Sequence, residues 1–148
     1  MIWKPNVTVA AIIEQDGRFL LVEERAGGAL MLNQPAGHLE PHESLLQAVA
    51  RETLEESAYH FSPEALVGMY QWHSVQKGVT YLRFAFTGSI TGHDPHRALD
   101  KGIVQAAWFT QEAILAEAAR HRSPMVLHCI EDYLAGKRYP LELLMHYD

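Results

Sequence analysis

The sequence has little cysteine, little positive charge and no long apolar run, and each shortage excludes a class of protein. A single cysteine, Cys129, rules out a disulfide within the chain and is compatible with a reducing compartment. Twelve Lys and Arg against 18 Asp and Glu give a formal net charge of −6, which argues against binding to duplex nucleic acid. No stretch reaches the roughly 18 apolar residues of a membrane helix, and residues 1–5 lack the apolar core of a secretion signal. We therefore expect a cytoplasmic protein with no membrane partner.

The length and composition are those of one ordinary globular domain. The chain has 148 residues, of which 48% are hydrophobic and 20% are charged, enough to bury a full core. We expect residues 1–148 to form a single domain.

Apolar and β-branched runs predict strands, and turn residues separate them. Asp16-Gly17 lies between two such runs and is a strong hairpin signal, whereas Pro35-Ala36-Gly37 predicts a turn. The predicted strands are 7–13, 18–22, a short extended segment at 32–36, an antiparallel pair at 65–75 and 79–90, and 103–109, with a polar loop at 91–102.

Capping signals predict three helices. Ser44 and Gln47 have the spacing of a capping box, so the first helix is expected to begin at Ser44. Its expected inward face consists of Leu46, Val49, Ala50, Thr53 and Leu54. Thr110 is expected to cap a second helix that ends near Arg120, and Ser123-Pro124 and Gly136 mark the two ends of a third. This mixture of elements favours an α+β fold in which helices flank a mixed sheet.

Three carboxylates crowd one face of the first predicted helix. At about 100° per residue, Glu52, Glu55 and Glu56 fall within an arc of roughly 100°. Like charges this close repel one another, so a positive partner is the best explanation, and oxygen ligands favour Mg²⁺ or Mn²⁺. A solvated helix face is the alternative.

The spacing around these carboxylates resembles the Nudix box, a signature of hydrolases that act on nucleoside diphosphates linked to another group. The box positions are Gly37, Glu43, Arg51, Glu52, Glu55 and Glu56. Nearly the whole chain is similar to the NudJ-type phosphatases, and the matching segments are 4–9, 33–40, 71–72, 82–84 and 138–142. Two positions depart from the box: Thr53 replaces an aliphatic residue, and Ala58 replaces the closing glycine. Thr53 can still pack inward with its hydroxyl bonded back to the helix. At Ala58, either the helix ends differently or the residue adopts a mildly strained conformation.

The resemblance implies a Nudix fold, in which helices sandwich a curved mixed sheet, and it assigns roles to the box residues. Glu52, Glu55 and Glu56 are the implied ligands of Mg²⁺, with a backbone carbonyl near Ala36 completing the set. Arg51 and Glu43 are implied to form an ion pair that orients Glu52.

The implied reaction is attack of water on phosphorus in nucleoside tri- and diphosphates and in related pyrophosphates, including that of the thiamine pyrimidine precursor. Glu55 or Glu52 is the preferred base, and Asp100 in the polar loop is a further candidate base and ligand. The candidate contacts to the small-molecule substrate are His38, Gln34, Arg25, Arg83 and Trp72. The protein is expected to be a monomer or a homodimer. The alternative is a Nudix-fold sensor that binds a nucleotide or sugar nucleotide without cleaving it.

Overall fold

The structure, a computed structural model, describes residues 1–148. The strands are β1 (Asn6–Ala11), β2 (Glu14–Gln15), β3 (Arg18–Ala26), β4 (Ala29–Asn33), β5 (Ala36–His38), β6 (Tyr59–Ser74), β7 (Val79–His93) and β8 (Ile103–Thr110). The helices are α1 (Leu45–Ser57), α2 (Gln111–Ala116) and α3 (Met125–Leu134), with short 3-10 turns at Ala118–Arg120 and Leu141–Leu143. None of these helices combines the length and the apolar character needed to span a bilayer.

The strands form two four-stranded sheets, where the sequence predicted one. The first has the order β5-β1-β7-β6, with β1 parallel to β7; in the second, β3 pairs with β2, β4 and β8. Asp16 and Gly17 have φ values of 51° and 77° and form the expected tight turn. This turn joins β3 to the two-residue strand β2. The strand β1 is not part of the hairpin, because it pairs with β5 and β7 instead.

Two further expectations about local structure were wrong. Ala36 and Gly37 do not form a turn: they belong to β5 and pair with Ala10 and Val9 of β1. The polar loop predicted at 91–102 begins later, because residues 91–93 extend β7, where Tyr59 of β6 pairs with His93. In both places pairing with a neighbouring strand overrides the local preference of turn residues.

The core consists of two apolar clusters on opposite faces of a middle layer. Residues alternate along β1, so that Val9 and Ala11 pack with Ala48 and Val49 of α1, whereas Ala10 packs on the other side. The members of that second cluster are Ala10, Ile12, Phe19, Leu21, Leu32, Val67, Ala85, Ile114, Cys129 and Ile130. Both sheets contribute to both clusters, so the strands lie between α1 and the pair of α2 and α3. The expected arrangement of sheet between helices is confirmed.

Helix α1 begins as predicted. The Ser44 hydroxyl accepts from the Gln47 backbone, and the Gln47 side chain accepts from the Ser44 N–H. Of the five residues expected on the inward face, Val49 and Thr53 are buried and Leu46 is half-buried against the core, whereas Ala50 and Leu54 are only half-buried. The α1 residues that are buried are Ala48, Val49, Thr53, Glu56 and Ser57.

The two departures from the Nudix box are accommodated within and at the end of α1. Thr53 donates its hydroxyl to the Val49 carbonyl at 2.7 Å, as expected. Ala58 ends the helix in the left-handed region at φ 64°, a conformation that costs a non-glycine residue about 1–2 kcal/mol.

The capping signals of the later helices are also present. Thr110 caps α2, and the Ser123 hydroxyl accepts from the Met125 N–H beside Pro124, which already has helical φ and ψ.

Candidate active site

A cavity of about 480 Å³ opens on the face of the first sheet that α1 does not cover. One side of it lies at the β5 edge, where α1 brings Glu52 and Glu56 beside Gly37. The other side lies over β6 and β7 and carries Arg83 and Trp72. A volume of this size suits a small-molecule ligand.

Arg51 organises the carboxylates at the β5 edge. Its Nε and Nη2 donate to the two oxygens of Glu43 at 2.6 and 2.9 Å. Its Nη1 donates to Oε1 of Glu52 at 2.7 Å and to Oε1 of Glu55 at 2.9 Å. Nη2 also donates to the His38 carbonyl at 3.1 Å. Glu43 precedes the helix, and the long Arg51 side chain reaches back toward the N-terminus of α1, so the loop, the helix and β5 are tied together by one guanidinium.

Gly37 leaves the space that the Glu52 carboxylate occupies. Its φ is not positive, but a Cβ built at this position would collide with the carboxyl carbon and both carboxylate oxygens of Glu52. The glycine therefore lets the helix carboxylate lie directly against the strand.

The carboxylates of the cluster carry more negative charge than Arg51 can balance. Burial raises the pKa of Glu56 to about 8, with repulsion from Glu52, Glu24 and Asp100 acting in the same direction. This outweighs the hydrogen bond that the Ala36 N–H donates to Glu56 at 2.9 Å. Burial likewise raises the pKa of Glu52 despite Arg51. Hydrogen bonds from Arg51 instead lower the pKa of Glu43, so Glu43 is the carboxylate that the guanidinium stabilises most.

Asp100 joins the cluster from the loop between β7 and β8. Its backbone N–H donates to the Glu55 carbonyl at 3.0 Å, and carboxylate oxygens of Glu52, Glu55 and Asp100 lie within 4.8 Å of one another. Glu56 lies on the other side of Glu52, toward β5. The structure thus brings together the three predicted helix glutamates and the one predicted loop carboxylate.

The expected substrate contacts divide into three groups. His38, Arg83 and Trp72 line the cavity. Gln34 does not: it is 1% exposed, donates to the Val126 carbonyl at 2.8 Å and accepts from Arg83 at 3.0 Å. Arg25 is exposed on β3 and does not line the cavity.

Glu24 lines the cavity and was not expected there. Its carboxylate lies 3.7 Å from Arg122 and close enough to Glu56 to raise the pKa of that group. The sequence carries a weak signal for it, because the charged pair Glu23-Glu24 follows the apolar run of β3 where a buried strand would continue.

Comparison with known proteins identifies the architecture around this site. Residues 3–129 match the NUDIX domain family. The chain belongs to the NUDIX hydrolase family. It is 41% identical over 142 residues to Phosphatase NudJ of Escherichia coli strain K12, a match that covers 96% of this chain and 92% of that protein. A NUDIX hydrolase structure from Nitrosomonas europaea is similar with a TM-score of 0.96 and 59% identity, over 97% of this chain and 98% of that one.

A more distant likeness extends only to the fold. The NUDIX domain of Shewanella oneidensis NrtR, solved with ADP ribose, has a TM-score of 0.70 at 17% identity, over 91% of this chain and 90% of that one.

The expected family and Nudix fold are confirmed, and this protein is a NUDIX hydrolase that acts on pyrophosphates.

Proposed function

We propose that residues 1–148 act as one domain that hydrolyses nucleoside tri- and diphosphates and related pyrophosphates with Mg²⁺, or Mn²⁺ in its place. The observation that carries the proposal is the meeting of Glu52 and Glu55 with Asp100, a residue from a separate loop, within 4.8 Å. The similarity to a protein named Phosphatase NudJ supports the same class of reaction.

The donor set fits a hard divalent cation. All the candidate side chains offer carboxylate oxygens, which Mg²⁺ prefers. Arg51 bonds only Oε1 of Glu52 and of Glu55, so Oε2 of each remains free for a cation. Glu56 and the Ala36 carbonyl are the proposed further ligands.

Glu55 is the preferred group for taking the proton from the attacking water. Its side chain is 30% exposed, against 12% for Glu52, so water reaches it more easily. When bound, the divalent cation lowers the pKa of a coordinated water and offsets the charge that builds on phosphorus. Arg51 and Glu43 act by holding Glu52 and Glu55 in place, and Asp100 is the alternative base.

The remainder of the substrate is proposed to lie across the sheet from the carboxylates. His38 lies next to Gly37 on β5, where it can contact a phosphate. Arg83 and Trp72, on β7 and β6, are placed to contact the group that the phosphates carry.

A substrate panel tests the proposal. Phosphate release should be measured with nucleoside tri- and diphosphates and with the pyrophosphate of the thiamine pyrimidine precursor, each with Mg²⁺ and with EDTA. We expect release that depends on the metal. Binding of these compounds without any product would contradict the proposal and favour a sensor.

A further inference from the structure

Three tyrosine or tryptophan side chains line the cavity, and two of them, Trp72 and Tyr81, belong to neither cluster of the core. The third, Tyr70, packs against the core and donates its hydroxyl to Asp132 at 2.7 Å. Trp72 and Tyr81 are half-buried, and no side-chain nitrogen or oxygen that lacks a partner is sealed from solvent. Packing of the core therefore does not account for these two large rings, and their apolar surface is available to a ligand.

The two rings form one aromatic surface on the floor of the cavity. Trp72 of β6 pairs with Tyr81 of β7, and their ring centroids are 5.8 Å apart with the planes inclined by 16°. A third ring does not fit between them, because two contacts of about 3.5 Å need about 7 Å. Trp72, but not Tyr81, also lines an adjoining cavity. The indole thus keeps open surface on the side away from Tyr81, where a planar group can stack.

This aromatic surface is far from the carboxylates. Glu52 and Glu56 lie at β5, whereas Trp72 is on β6, at the other end of the strand order β5-β1-β7-β6. Three strand spacings amount to about 14 Å. A ring at Trp72 must therefore be joined to a pyrophosphate at the β5 edge through a spacer, as the ribose of a nucleotide joins its base to its phosphates.

Arg83 lies beside the aromatic surface but cannot read two adjacent acceptors on the edge of a heterocycle. It follows Tyr81 by two residues on β7, so both side chains are on one face of the sheet. Its Nη2 donates to Asn33 Oδ1 at 3.1 Å and to Gln34 Oε1 at 3.0 Å, which uses both hydrogens of that nitrogen. Each bidentate edge of a guanidinium includes Nη2, so Arg83 is left with single hydrogen bonds from Nε or Nη1. Arg83 therefore gives little discrimination between bases, whereas every base has a face that can stack.

Resting on the proposed function, we propose that Trp72, backed by Tyr81, stacks with the planar ring of a nucleotide substrate. The site thereby selects phosphoanhydrides that carry an aromatic ring on a spacer over those that carry no ring. Stacking of a base on an aromatic side chain contributes about 5- to 150-fold in affinity.

The test measures kcat and KM with Mg²⁺ for ATP, GTP and inorganic tripolyphosphate, which has no ring. Trp72→Leu should raise KM for ATP and for GTP by at least about fivefold with little change in kcat, because the ring is remote from the reacting phosphorus. KM for tripolyphosphate should stay as in wild type. Trp72→Phe keeps a ring and should retain most of the affinity for ATP. Trp3→Leu is the matched control: Trp3 is 70% exposed and does not line the cavity, so every value should stay as in wild type.

A second measurement needs only the wild-type protein. Adenosine and guanosine should each inhibit hydrolysis of ATP in competition with it, whereas ribose at the same concentration should not. Ribose that inhibits as strongly as adenosine, or no inhibition by either nucleoside, would overturn the proposal even if no Trp72 variant folds.

The variants supply the remaining contrary outcomes. An equal rise of KM on all three substrates in Trp72→Leu would indicate a general disturbance of the cavity and overturn the proposal. A rise for only one of the two nucleotides would assign recognition to the edge of the base and overturn it too. If wild type hydrolyses none of the three substrates, the proposed function fails and this inference fails with it. Hydrolysis that Trp72→Leu leaves unchanged contradicts this inference alone.

Discussion

Replacing Glu56 with glutamine should raise the stability of the metal-free protein and lower its affinity for metal. Glu56 is 9% exposed, and burial raises its pKa from 4.5 to about 8. The folded state therefore holds a proton on this group between those two values that the unfolded state has released. Stability must then fall as the pH rises through that window. Glutamine keeps an acceptor for the Ala36 N–H and cannot ionise.

The size of the effect follows from the width of the window. Each pH unit within it contributes at most about 1.4 kcal/mol. Between pH 5.5 and 7.5 wild type should lose about 2 kcal/mol through this group, which corresponds to about 4–8 °C in Tm for a chain of this size. In EDTA, Glu56→Gln should melt higher than wild type at pH 7.5, and the difference in Tm should narrow toward pH 5.5. The two proteins are compared at each pH, so that contributions common to both cancel.

Mg²⁺ should reverse the order of the two Tm values, so that wild type melts higher than Glu56→Gln. Mg²⁺ binds the ionised carboxylate, so it should raise the Tm of wild type more than that of Glu56→Gln. Thermal unfolding with EDTA and with Mg²⁺ measures both effects, and Glu142→Gln, which removes an exposed charge on the C-terminal segment, should behave as wild type. A gap in EDTA that does not depend on pH, or equal stabilisation by Mg²⁺, would refute the reasoning.

Three further substitutions test the geometry of the loop and helix. Gly37→Ala places a methyl group on the Glu52 carboxylate, so phosphate release should fall by at least about tenfold; unchanged turnover would mean that Glu52 need not lie against β5. Arg51→Lys keeps the charge but cannot bridge Glu43, Glu52 and Glu55, so kcat should fall more than KM rises, and an effect on KM alone would argue against positioning. Ala58→Gly relieves the left-handed strain at φ 64°, so chemical denaturation should show a gain of about 0.5–1 kcal/mol; a loss of stability would contradict that assignment.

Local patterns in the sequence predicted those features that depend on neighbouring residues. The capping box at Ser44 and Gln47 sets the start of α1, and helix geometry then places Glu52, Glu55 and Glu56 on one side. The Thr53 hydroxyl bond is local for the same reason. At Ala58 the sequence left two outcomes open, and the helix ends there in the left-handed conformation instead of changing its end.

Features that depend on packing between distant segments could not be predicted. A glycine in a Pro-Ala-Gly sequence suggests a turn, but Gly37 is needed for the space occupied by Glu52, which lies 15 positions later in the chain. Gln34 looks like any exposed polar residue until α3 and β7 supply its partners. The division of the strands into two sheets likewise depends on the pairing of β1 with β7, in which Asn6 pairs with Tyr81, 75 positions later in the chain.

The rate of phosphate release during a Mg²⁺ titration tests the role of the carboxylate cluster most directly. Wild type and Glu55→Gln should be compared on one nucleotide substrate, starting from EDTA, with the fold of each checked by circular dichroism. We expect no release in EDTA, a saturable rise with Mg²⁺ in wild type, and a rate at least about 100-fold lower in the folded variant. Wild-type release in EDTA, or a Glu55→Gln variant as fast as wild type at saturating Mg²⁺, would contradict it.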